Sequence, residues 1–252
     1  MSMIAFLIAA VFLPLFPLSM VFNRLFAQMD NVWMRMGLLL LWPQIGALLL
    51  AATGQVPPVW LVYWAVLTAC LYAFRAVSLR ELGLWTSHMA TSAWSFLWLS
   101  ALFVDDGRDL ALQAAGFSAP FVLLAWLVAR VESIFGAAYA GAVRGLAQNL
   151  PRLSGILVVA ILAAVATPVF PGFFNLLKTV TQALPVVPWA ALAVLLVWLL
   201  WAWSGARITR GLVVGPGCAD PKPDLSRSAY IALGLVLLLL ILAGLLAWGQ
   251  LP

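Results

Sequence analysis

Between Arg152 and Arg207 this chain carries a single charged residue, Lys178. No water-soluble fold can hide an apolar stretch of that length, and the rest of the sequence is of the same kind. Hydrophobic residues make up 65% of it, charged residues 8%, and the mean hydropathy is +1.10. A soluble domain is roughly half apolar and a quarter charged. The solvent for most of this surface is therefore lipid. In hydrocarbon every backbone N–H and C=O must find a partner within the protein, which leaves membrane-spanning helices as the reading of these runs. The net charge of +5 is small and dispersed, so the lipid bilayer is an expected partner and nucleic acid is not.

A helical crossing takes about 20 apolar residues. Eight segments qualify: 4–22, 36–52, 59–75, 82–103, 110–130, 153–184, 187–205 and 229–249. The expected fold class is an all-α, polytopic bundle of about eight helices, forming one membrane domain over 1–252. The opening MSMIAFLIAA has no basic n-region and no clear small-residue cleavage site, so it is expected to remain as the first span. The longest polar segment, 206–228 with its GPGCADPKPD, is expected to be a flexible loop. Cys70 and Cys218 have no neighbours at ligand spacing, and neither a disulfide nor a metal site is expected.

The charges order the spans. Arg24, Arg35, Arg75, Arg80, Arg130, Arg144, Arg152, Arg207, Arg210, Lys222 and Arg227, eleven of the thirteen basic residues, fall in the first, third, fifth and seventh connections. Only Arg108 and Lys178 remain for the other side. Basic loops stay cytoplasmic, so both termini are expected on the outer side, in the inner membrane of a bacterium. Trp60, Trp189 and Trp248 fall near expected outer ends and Trp33, Trp85 and Trp203 near inner ends, as lipid-facing interfacial anchors do.

The sixth segment, LSGILVVAILAAVATPVFPGFFNLLKTVTQALPVV, is too long for one straight crossing. Pro168, Pro171 and Gly172 are expected to break it near mid-membrane, because proline removes a backbone donor and clashes with the preceding turn. Freed backbone groups at that depth must be buried in protein or meet water. Such a break either marks an ion or substrate path or is a kink that serves packing.

Two neighbouring stretches bear on that choice. RELGLWTSHMATSAWSF (80–96) has a charged pair entering a helix and then Thr-Ser-His-Met. The basic connection ends in LAQNLPRLSGILVVAILAAVATPVFPGFFNLL. This order resembles the antiporter-like subunits of respiratory complex I, membrane-bound hydrogenases and multisubunit sodium/proton antiporters. That family has a KR-L-x-A-Y-S-S-x-x-H-M-G helix start and an L-P-x-L…G-x-P-x-x-x-G-F broken helix. Arg80, Thr86, Ser87, His88 and Met89 match the first motif; Leu150, Pro151, Pro168, Gly172 and Phe173 match the second. The similarity covers residues 59–249, corresponding to the family's last six helices. It implies helices packed side by side, with buried lysines, histidines and a glutamate passing protons along the midplane.

This chain departs from that pattern. The family has fourteen spans, and the helices bearing its essential glutamate and first two buried lysines have no counterpart in 4–52. Ala115 stands where the family has a histidine. The charge after the break is Lys178, two residues beyond Leu176 where the family places Lys or Glu, and so about 200° around a helix. A proton relay needs closely spaced titratable groups in the membrane, and the resemblance therefore implies a shortened subunit without a complete path of its own.

His88, about 9 Å into its span by a 1.5 Å rise per residue, is a candidate relay or gate, with Ser87 beside it; equally it is a packing residue bonded to a neighbouring helix. Lys178 either faces a water-filled cavity or snorkels to the outer interface. Asn175 is a further candidate for the ion path, and equally is placed to bond backbone freed at the break. Arg130 and Glu132 are expected to form a local ion pair or a partner contact, Arg35 to be an interfacial anchor, and Ser87, Ser92, Ser95 and Ser100 to pack helices. No Ser-His-Asp set, phosphate-binding glycine loop or zinc spacing appears, so an enzyme is not expected, nor is any cofactor. The expected function is a non-catalytic subunit associated with other integral membrane subunits. Its host is a complex I relative, a hydrogenase-type complex or an ion-coupled inorganic-carbon uptake system. The alternative is a self-contained transporter using the break near Pro168–Gly172.

Overall fold

The computed structural model describes residues 2–104, 106–217 and 222–248. Their helices are α1 (Ser2–Phe12), α2 (Ser19–Gln28), α3 (Val32–Ala52), α4 (Val59–Ser78), α5 (Leu82–Ser95), α6 (Leu97–Ser100), α7 (Gly107–Phe135), α8 (Leu146–Asn149), α9 (Pro151–Ala164), α10 (Pro171–Ala183), α11 (Pro188–Val213) and α12 (Arg227–Trp248). Five of these, α3, α4, α7, α11 and α12, are individually long and apolar enough to cross a membrane. The other apolar segments are assembled from shorter pieces, α1 with α2, α5 with α6, and α9 with α10.

Local chemistry sets the ends. Asn31 and Asp106 cap α3 and α7 by accepting from Trp33 N and Arg108 N, each at 2.9 Å. Gly136, at φ 80°, closes α7. Proline opens α9, α10 and α11, where its fixed φ suits the first helical position and its missing N–H costs nothing. The N-terminus of α9 is capped from far along the chain: Asp224 accepts from Arg152 N at 2.9 Å and Leu153 N at 3.1 Å.

α5 is the hub. Every residue in it except Leu84 is buried, enclosed by α4, α7 and α2. Helices gain no hydrophobic drive from one another in lipid, and small residues and interhelical hydrogen bonds take over. Tryptophan supplies many of those bonds here. Trp85 Nε1 donates to Ser204 Oγ (3.2 Å), Trp201 Nε1 to Ser92 Oγ (2.9 Å), and Trp94 Nε1 to Ser118 Oγ (3.0 Å).

The structure departs from the sequence reading in four places. The segment 4–22 is not one rod but is interrupted over 13–18, giving a second break where one was expected. Pro14 and Pro17 explain it. Contacts along α5 and α6 run from Asn23 at Thr91, through Phe22 at Trp94, to Phe6 at Trp98, so α1 and α2 continue in one direction. The segment 82–103 is divided at Phe96 into α5 and α6. The polar segment 206–228 is helical as far as Val213, and its later part is tied to α9 through Asp224. Trp85 is not an anchor: it is fully buried on the hub helix. Trp33, Trp60, Trp189 and Trp203 are exposed on the outside of the bundle, whereas the Trp248 side chain and Cys218 lie outside the described residues.

Candidate functional site

Several backbone carbonyls released at the two breaks find side-chain donors. Beyond Ala164 the chain unwinds until Pro171, with Ala166 at φ 55° and Val169 at φ 80°, a region costly for residues bearing a Cβ. The indole of Trp198, on α11, donates to both Val165 O (3.2 Å) and Ala166 O (3.1 Å). Gly205 on the same helix lets α11 close in: a Cβ there would lie 2.6 Å from Val165 Cγ1. On the other side Gly244 of α12 accommodates the break itself, since a Cβ would sit 3.0 Å from the carbonyl carbon of Phe170. The first break is served likewise. Trp98 donates to Leu13 O (2.9 Å), Ser95 to Pro14 O (3.2 Å) and Trp64 to Phe16 O (2.7 Å). Neither interruption leaves these carbonyls to lipid.

Beside the second break lies a cavity of about 370 Å³ between α7, α10 and α12. Two polar stripes face each other across it. Asp109, Gln113 and Gly116 follow one another at helical spacing on α7, and Pro171, Asn175 and Lys178 do the same on α10. Lys178 Nζ pairs with Asp109 Oδ2 at 3.7 Å, at the exposed rim. The lysine lines the cavity and, at its rim, faces a carboxylate. Asn175 Nδ2 donates to Gln113 O at 3.1 Å. It thus ties α10 to α7 rather than bonding the backbone freed at its own break. Gly116 makes room for it, as a Cβ there would meet Asn175 Nδ2 at 2.9 Å. Gln113 Oε1 is buried without a partner among the described residues. The sequence reading passed over Gln113, although its position four residues after Asp109 was a usable signal.

His88 does not join this site. It is 7% exposed on α5, with Nδ1 2.9 Å from Leu84 O and 3.4 Å from Ser87 Oγ. Its ring packs edge-on to Tyr72 of α4 at 5.2 Å. Ser87 Oγ itself donates to Leu84 O at 3.0 Å. Around them runs a network of neutral groups. Tyr72 OH meets Ser19 Oγ at 2.8 Å, and Asn23 Nδ2 donates to Thr91 Oγ1 at 3.1 Å. Farther along, Ser100 Oγ meets Thr179 Oγ1 at 3.0 Å.

The opposite, arginine-rich end holds a second charged group. Glu132 pairs with Arg35 of α3 at 3.2 Å, not with Arg130. Arg35 is correspondingly no simple anchor: its Nε donates to Met29 O at 2.6 Å and its guanidinium lies over the Phe26 ring. Two residues apart on α7, Arg130 and Glu132 project about 200° from each other, which is why the local pair does not form. Glu81, at the start of α5, completes the cluster. Burial pushes its carboxyl above the ordinary value, the nearby Glu132 carboxylate pushes it further, and Arg35 pulls it partly back.

No family model matches the chain. An uncharacterized protein of Aquifex aeolicus (strain VF5) is 23% identical over 236 residues, covering 92% of this chain and 96% of its own length. Among solved structures, a chain of the Mrp complex from Dietzia sp. DQ12-45-1b superposes with a TM-score of 0.83 at 15% identity, over 99% of this chain and 57% of its own. A chain of the membrane-bound sulfane sulfur reductase, an archaeal respiratory membrane complex, gives 0.80 at 16%, over 96% and 52%. A chain of respiratory complex I from Thermus thermophilus with bound NADH gives 0.74 at 21%, over 95% and 53%. The resemblance drawn from 59–249 thus holds as a shared fold, and it extends over the first helices too. The chain spans about half the length of the solved chains it matches.

Proposed function

We propose that this chain is a non-catalytic membrane subunit of a multisubunit ion-translocating or redox-coupled complex, and that it lacks a complete proton path of its own. The observation that carries the reading is the spacing of its charges. Arg35, Glu81 and Glu132 cluster at one end, Lys178 and Asp109 at the other. Between these ends the described interior holds one histidine among hydroxyls and amides. Protons hop readily between titratable groups a few ångströms apart; a neutral network around His88 is a poor substitute unless a neighbouring subunit supplies the missing acids and bases. The fold shared with chains of respiratory complex I, the Mrp complex and an archaeal respiratory membrane complex supports a place beside other membrane subunits. An inorganic-carbon uptake system is a further host of this kind. The orientation we favour puts the arginine-rich end in the cytoplasm and both termini outside, in a bacterial inner membrane.

The test is purification of the tagged chain from its own host in mild detergent. Stoichiometric membrane partners are expected; a lone monomer at full yield would overturn the assignment. A second reading, a self-contained transporter, is favoured by one feature, the cavity where Lys178, Asp109, Asn175 and Gln113 meet beside Pro171 and Gly172. Flux of an ion or solute through the isolated chain, lost in K178Q, would select it.

A further inference from the structure

Four arginines from three elements converge on one cavity at the arginine-rich end. Arg80 precedes α5, Arg144 stands in the connection before α8, and Arg207 and Arg210 lie near the end of α11. Together they line a space of about 530 Å³, within the range of small-molecule sites. Its walls are held by backbone pairing between distant segments: Ala140 N to Arg80 O at 2.7 Å and Gly141 N to Gly211 O at 3.1 Å. Arg144 Nε donates to Gly141 O at 2.7 Å, which anchors the guanidinium at the cavity wall.

The charge in this cavity is unbalanced. No carboxylate lines it among the described residues, and neither of the two ion pairs found among them, Arg35–Glu132 and Lys178–Asp109, involves these arginines. The C-termini of α4 and α11 end nearby with about half a negative charge each, and α5 begins there with about half a positive one, so among the described residues most of the arginines' charge is uncompensated. A preference for basic loops on one side of the membrane is met equally well by arginines spread along the connections. Gathering four around one cavity costs mutual repulsion, which an anion relieves. The planar guanidinium matches the oxygens of phosphate two at a time.

We propose that this cavity binds a phosphate group, carried either by the headgroup of an anionic phospholipid or by a soluble phosphate. Leu79, Ile208 and Val214 supply an apolar wall for the glycerol end of a lipid. Both sources use the same chemistry, and one experiment separates them. The full chain, purified and stripped of lipid, is titrated with phosphatidylglycerol, with phosphatidylcholine and with inorganic phosphate, read by native mass spectrometry and calorimetry. Each basic side chain near an anionic headgroup is worth about a five-fold change in affinity. R144Q/R207Q should therefore bind the preferred anion about 25-fold more weakly. R24Q/R227Q, which removes the same charge from exposed sites outside the cavity, should change it by only a few-fold. Selective loss of phosphatidylglycerol binding identifies the lipid, and loss of inorganic phosphate binding the soluble ligand. If the glutamine pair fails to fold, R144K/R207K keeps the charge but loses the paired geometry, and weakening of several-fold is expected. Equal effects in both double variants, no effect in the cavity variant, absence of anion binding by the parent chain, or binding only of an acidic polypeptide would each overturn the proposal.

Discussion

Replacing Trp198 by phenylalanine isolates what holds the second break in place. The substitution keeps an aromatic ring against Phe173, whose centroid lies 5.4 Å away, and removes one N–H. That N–H is shared by Val165 O and Ala166 O at 3.2 and 3.1 Å, on backbone that includes a residue at φ 55°. A buried acceptor deprived of its donor costs about 1–3 kcal/mol in soluble proteins. Hydrogen bonds between membrane helices average nearer about 0.6 kcal/mol, reaching about 1.7. One donor serving two carbonyls belongs toward the upper part of that range, so W198F should lose about 1–2 kcal/mol. For a chain of this size that lowers Tm by roughly 2–8 °C. Thermal unfolding in detergent, followed by circular dichroism, measures it. W203F is the control, because Trp203 is 62% exposed on the same helix and should leave Tm unchanged. If W198F and W203F melt together, the indole does not hold the break and the argument fails.

Three further outcomes follow. A double-mutant cycle of R35A and E132A should give a coupling of about 1–2 kcal/mol, below the roughly 3–5 kcal/mol of a fully buried pair because Glu132 is 30% exposed; a cycle with R130A in place of R35A should give none. S204A should strand the buried Trp85 indole and lower stability by about 1–3 kcal/mol, whereas S133A, at an exposed site, should not. Glu81 binds its proton more tightly in the fold than in the unfolded chain, so the native state carries the extra proton between the ordinary value of 4.5 and its raised one. Its contribution to stability is therefore lost as pH rises through that window. E81Q should flatten this part of the Tm–pH curve, and an unchanged curve would show that the carboxyl is not perturbed.

The sequence disclosed much of the architecture, and the reasons for its silences are physical. Pro168, Pro171 and Gly172 announced the second break because they interrupt a segment already too long to cross once. Pro14 and Pro17 carry the same chemistry, but 4–22 has the length of a single span, and averaging its hydropathy concealed the interruption. Trp85 read as an anchor because indole at a span's end usually faces the interface; only the enclosure of α5 on every side makes it a core donor. The Arg35–Glu132 pair joins residues 97 apart in the chain, which no local spacing discloses. Lys178 and Asn175 were visible as polar residues beyond the break. Asp109 and Gln113 are visible as a pair at helical spacing, but that they stand opposite Lys178 and Asn175 could not be read, because it depends on which helix packs against α10.

Proton movement through the isolated chain is the direct measure of whether its charged groups form a path. The purified protein is reconstituted into liposomes enclosing a pH-sensitive dye, and a potassium diffusion potential is imposed. A chain whose charged clusters stand at opposite ends, with one histidine, His88, between them among the described residues, should take up protons no faster than protein-free vesicles. Uptake clearly above that background would mean that the chain carries a working path by itself, contradicting the account.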